Sequence, residues 1–150
     1  MALPSLERVL AYENPAVLKL YRQNHPNPAL PAEAAFQEVL KYLWLTQKHA
    51  HDVQTNPGDP SLPRNCIMLC SMQEIDDMWH EFILFTEDYT AFCQGTFGRY
   101  IHHLPNIFEN SPRPREEETA EIARLLPYIF DHLGEATLRT WFAPYLAAAG

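Results

Sequence analysis

Asp76 and His80 stand four residues apart, a spacing that on a helix puts a carboxylate and an imidazole on one face, one turn from each other. His102 and His103 add a second imidazole pair just past Gly98. Neutral imidazoles mixed with a carboxylate suit a borderline divalent cation, zinc or iron, whereas magnesium and calcium would want more oxygen ligands. Three such ligands around an open position make a reactive metal centre. The residues therefore nominate Asp76, His80 and His103 as metal ligands, with Cys93 or His102 as the fourth, and assign no catalytic residue. A structural reading competes with this one. In it Asp76 fixes the tautomer of His80 inside a buried polar network, and Trp79 and Tyr89 are core aromatics.

Other chemistries are excluded by what the spacing lacks. His80-Glu81 begins like the helix of a zinc protease, but that helix needs a second histidine where this chain has Leu84. No Gly-rich phosphate loop, nucleophile elbow or dinucleotide fingerprint is present, and five glycines leave little room for one. Cys66 and Cys70 have no second pair to complete a structural zinc site and read as small buried hydrophobes. His25, His49, His51 and His132 read as surface or helix-end residues.

The elements that must position these groups are helical. Thirteen prolines, clustered at Pro26 to Pro31, Pro57 to Pro63, Pro105 and Pro112 to Pro114, divide the chain into segments. Ser5 caps a short first helix, and Asn14 before Pro15 caps a second. From Pro31 to about His51, Phe36, Val39, Leu40, Leu43 and Trp44 recur at helical steps, which makes this the central core helix. Ser71 and Glu74 have capping-box spacing before a helix from Met72 to Phe85, Thr86 caps another through Phe97, and Gly98 either ends that helix or permits a close helix contact. The turn near Thr86 folds the second of these back on the first, which brings His103 toward Asp76 and His80. Glu116 to Glu118 form the acidic first turn of a further helix, which Pro127 kinks or splits, and Ala136 to Leu146 complete the set. No alternating strand pattern competes. The expectation is an all-α fold: one domain over residues 1–150, a bundle of about five to six helices, with Trp44, Trp79 and Trp141 at least partly buried.

Composition narrows the partners. With 47% hydrophobic and 20% charged residues the chain has the make-up of a folded globular protein. Nineteen acidic against eleven basic residues give a net charge of -8, and no stripe of Lys or Arg exists to meet a phosphate backbone, so nucleic acid is excluded as a partner. No apolar run is long enough to span a membrane, and the N-terminus does not read as a secretion signal. Three cysteines at irregular spacing fit a reducing compartment, and the expected location is the cytoplasm.

The string Asp76-Asp77-Met78-Trp79-His80, followed by Tyr89, Gly98 and His103, resembles the motif of the glycine-rich-domain-containing-protein-like family, a domain of unknown function. The likeness covers about thirty of the 150 residues. The chain departs from that pattern at Phe82, where plant relatives often have a second histidine. The resemblance implies a helical fold and a shared polar constellation of Asp76, His80 and His103. Two functions then compete. One is a metal-binding protein or metal-dependent enzyme using that cluster; the other is a non-catalytic domain whose acidic, aromatic surface docks another protein.

Overall fold

A computed structural model describes residues 2–66, 68, 70–103 and 115–149. Pro105 and Pro112 to Pro114, and the side chains of Cys70, Glu116 to Glu118, Tyr145 and Leu146, lie outside what it describes. Among the described residues 72% are helical and none lies in a strand, which establishes the all-α class. Seven α-helices lie among the described residues, close to the five to six expected.

Ser5 Oγ accepts from the Arg8 N–H at 3.2 Å and starts α1, Leu6–Leu10. Asn14 Oδ1 does the same for Val17, with Pro15 at the first helical position of α2, Pro15–Asn24. Both caps satisfy N–H groups that have no partner inside the helix. The central helix α3 spans Ala32–Thr55, a turn longer than its apolar periodicity indicated. That last turn is held by Asp52, which is buried and bonded to Lys48 Nζ at 2.6 Å and to the Tyr128 hydroxyl at 2.7 Å. Hydrophobic periodicity could not reveal it, because the residue that anchors the turn is a carboxylate.

A 3₁₀ turn, Cys70–Met72, leads into α4, Gln73–Leu84, and α5 follows almost at once as Thr86–Phe97. The expected capping box is absent. Ser71 Oγ donates to the Trp141 carbonyl at 2.6 Å, and Glu74 turns outward to accept from the N–H groups of Ala29 and Leu30. Thr86 opens α5 without capping it, since Phe85 is the N-cap residue and no side chain bonds there. Tertiary partners have taken the polar groups that local spacing assigned to caps. The chain ends in α6, Arg115–Leu133, and α7, Glu135–Ala149. Pro127 lies inside α6 and does not split it.

One core joins residues from every helix, with α3 packed on α1, α2, α4 and α6, and α7 closing against α6 and the 3₁₀ turn. Its centre is aromatic: Phe82 meets Phe36 at 5.2 Å, Tyr89 at 4.9 Å and Phe92 at 5.5 Å between ring centroids. Such contacts favour edge-on and offset rings. All three tryptophans are buried, and each indole N–H has an acceptor: Trp44 on the Pro4 carbonyl, Trp79 on the Tyr89 hydroxyl, Trp141 on Glu38.

Candidate metal-binding face on α4 and the segment after α5

Gly98 caps α5 in the left-handed conformation at φ 76°, with its N–H on the Gln94 carbonyl at 3.0 Å. A residue without Cβ adopts that geometry at no steric cost. The turn sends residues 99–103 back across α4, where two bonds fasten them. Tyr89 donates its hydroxyl hydrogen to the Ile101 carbonyl at 2.5 Å while accepting the Trp79 indole N–H at 3.0 Å. Burial then drives the Tyr89 hydroxyl well above its ordinary pKa, so it stays protonated and keeps donating.

His103 is thereby delivered to α4. Its Nε2 lies 2.7 Å from Asp76 Oδ1, and its ring packs on Trp79 at 4.2 Å between centroids. The His80 ring stands 5.8 Å from that of His103, nearly perpendicular to it. The side chains of Asp76 and His103 are 32% and 17% exposed, and His80 is exposed. The group therefore sits on an open face rather than in a sealed core.

Three of the nominated residues are thus brought together, in an arrangement that differs from the expected one. The partner of Asp76 is His103 and not His80. An i, i+4 spacing aligns two side chains but does not make them bond, and here the returning segment supplies a closer imidazole. His102 points away: it is exposed, and its ring meets Tyr100 at 4.8 Å. Cys93 is fully buried on α5, its thiol facing the Ile101 backbone and the Tyr89 hydroxyl, and burial pushes its pKa up. A thiol of that kind stays neutral, whereas metals are bound by thiolate. Among the described residues no three His, Cys, Asp or Glu side chains already stand in a geometry that holds a metal ion.

Trp79 was legible only as a core aromatic, yet it is also the platform under His103; the signal was its place between Asp76 and His80 on one helix. A second polar cluster on the other side of α4 escaped the sequence reading. Glu81 is buried, accepts both Nδ2 bonds of Asn24 at 3.1 and 3.2 Å, and lies 3.5 Å from His25 Nε2. Two of the remaining histidines are also more enclosed than expected. His49 Nε2 reaches the Pro63 carbonyl at 2.5 Å, and His132 lies against Trp44 and Tyr128 with its pKa lowered by burial and by the Lys48 charge. His25 does cap the end of α2 as a helix-end residue.

Among the described residues no helix is long and apolar enough to cross a membrane. No curated protein and no solved structure matches the chain. The expected glycine-rich-domain-containing-protein-like family is overturned, because the family model that matches is a different one. In this chain Trp79, Tyr89 and Gly98 are each engaged by the packing of the hairpin. The matching model is UCP032817-like, an uncharacterised family, and it covers residues 60–125, from the loop before α4 through α5 and the His103 segment into α6.

Proposed function

We propose that this face binds one divalent transition metal, zinc or iron first. His80 and His103 are the nitrogen ligands and Asp76 supplies the carboxylate. The observation that carries this reading is the pairing of the two imidazoles on an open surface beside a carboxylate. Two histidines sharing a tetrahedral ion, with bonds of roughly 2.0–2.1 Å, hold their ring centroids about 5 Å apart. The observed 5.8 Å needs only a small rotation of His80, whose exposed side chain is free to make it. Asp76 Oδ1 and His103 Nε2, 2.7 Å apart, would both face the ion, which would replace the proton they share. Oδ2 of Asp76 has no partner among the described residues and lies one turn before His80 on the same helix. Water fills the remaining positions, and an open water position is what a metal-dependent hydrolytic or hydration reaction requires. A reducing, cytoplasmic setting fits the free thiols of Cys66 and Cys93.

A second reading is favoured by one observation, the two-bond fastening of residues 99–103 through Tyr89 and Asp76. In it the Asp76–His103 bond is a structural clasp, and the domain works by docking another protein on its acidic surface.

Metal analysis of untagged protein incubated with zinc or ferrous iron separates the two. The expected result is about one equivalent in the wild type and at least a tenfold weaker affinity in His80→Ala, both proteins giving the same circular dichroism. A wild type that retains no metal leaves only the clasp, and equal binding by both proteins places the metal elsewhere.

A further inference from the structure

On the far side of the hairpin, a cavity of about 340 Å³ opens between α3, the end of α5 and the segment before α1. That volume is at the lower end of the roughly 300–1,000 Å³ typical of small-molecule sites. Gln47, His51 and Gln54 line it from α3 at i, i+4 and i+7, so they form one stripe along that helix. Arg99 faces them from just past the Gly98 turn, and Leu3 and Phe97 supply apolar wall.

His51, Gln54 and Arg99 are exposed, so the site is open to solvent, and two features distinguish it. Its walls are tied in place: the Trp44 indole N–H holds the Pro4 carbonyl at 2.9 Å, and Arg99 Nε donates to Gln47 Oε1 at 2.6 Å. That second bond uses only one edge of the guanidinium. The two Nη groups have no partner among the described residues and keep the planar fork that matches a carboxylate or phosphate. The lining is also unusual in its charge. The chain as a whole carries -8, yet no Asp or Glu lines this cavity, and its ionisable side chains are Arg99 and His51.

We propose that the cavity is a binding site for a small molecule bearing a carboxylate or phosphate group. Arg99 is the anchor, His51 and Gln54 donate further hydrogen bonds, and Leu3 and Phe97 receive the apolar part. The site is separate from the metal-binding face, and neither proposal depends on the other.

The test is an NMR titration of the full chain with sodium succinate and, separately, with inorganic phosphate, at constant ionic strength held with chloride. Saturable shifts confined to amides of residues 47–54 and 97–99 are expected. A response to succinate alone assigns the carboxylate, and a response to phosphate alone assigns the phosphate; either supports the site. Arg99→Gln is expected to weaken binding at least tenfold, Arg99→Lys to recover part of it because charge without the fork remains, and His51→Gln to weaken it a few-fold. The absence of saturable shifts with both anions overturns the proposal. So does undiminished binding by Arg99→Gln or, if that variant does not fold, by His51→Gln.

Discussion

Two carboxylates, Asp76 and Asp52, each meet an aromatic or imidazole partner from a distant part of the chain, but only one sits where it can meet a ligand. Asp52 is enclosed between α3 and α6. Lys48 neutralises one oxygen, the Tyr128 hydroxyl satisfies the other, and His132 and His49 pack around Tyr128. Asp76 uses one oxygen on His103 and keeps the second at an open face beside His80. A buried carboxylate must have its charge and both oxygens answered, because water is not there to do it. A half-exposed one can hold a valence in reserve. The comparison teaches that full satisfaction marks the network that builds the fold, and that partial satisfaction next to a second imidazole is what the proposed site rests on.

The largest effect that tests this contrast is expected from Asp52→Asn, which leaves Lys48 without its counter-charge. We expect a loss of roughly 3 kcal/mol in urea unfolding, as for breaking a partly buried ion pair. Asp76→Asn should cost only about 1 kcal/mol, since its bond is a single half-exposed one. If both variants lose the same stability, the contrast collapses and Asp76 becomes a clasp like Asp52.

A smaller effect concerns pH. Burial raises the Asp52 carboxyl, but hydrogen bonds from Lys48 and Tyr128 and the Lys48 charge together outweigh it and leave the pKa below the ordinary value. Stability from this group is therefore present above its unfolded pKa and lost as pH falls through the lower folded one. His132 is also depressed, by burial first and then by Lys48. It binds its proton more readily when unfolded, so stability falls as pH drops below about 6.5, the ordinary histidine value. His132→Gln is expected to flatten the thermal-unfolding midpoint between pH 7 and 5.5. An unchanged slope would show that His132 does not carry it.

How much of this was legible depends on which physical term decided each element. The starts of α1 and α2 were readable to the residue because Ser5 and Asn14 cap through neighbours three positions on, a purely local bond. The core face of α3 was readable because burial follows helical periodicity. Its last turn was not, since it depends on Tyr128, 76 positions away. Ser71 and Glu74 looked like a capping box and instead reach Trp141 and the Ala29–Leu30 backbone. Long-range partners outcompeted a local bond of similar strength, and no local rule contains that information.

The site divides the same way. Sequence by itself determined that Asp76 and His80 share a helix and that a second helix folds back after it, with Gly98 near its end and His103 within reach, because helix pitch and turn chemistry are properties of a few adjacent residues. Only the tertiary structure decided that His103 rather than His80 takes the carboxylate, that Trp79 lies beneath it, that Cys93 is drawn into the core, and that Arg99 faces the α3 stripe across a cavity. Which partner a polar side chain finds is settled by distances of a few ångströms between segments far apart in the chain, and those distances exist only once the core has closed.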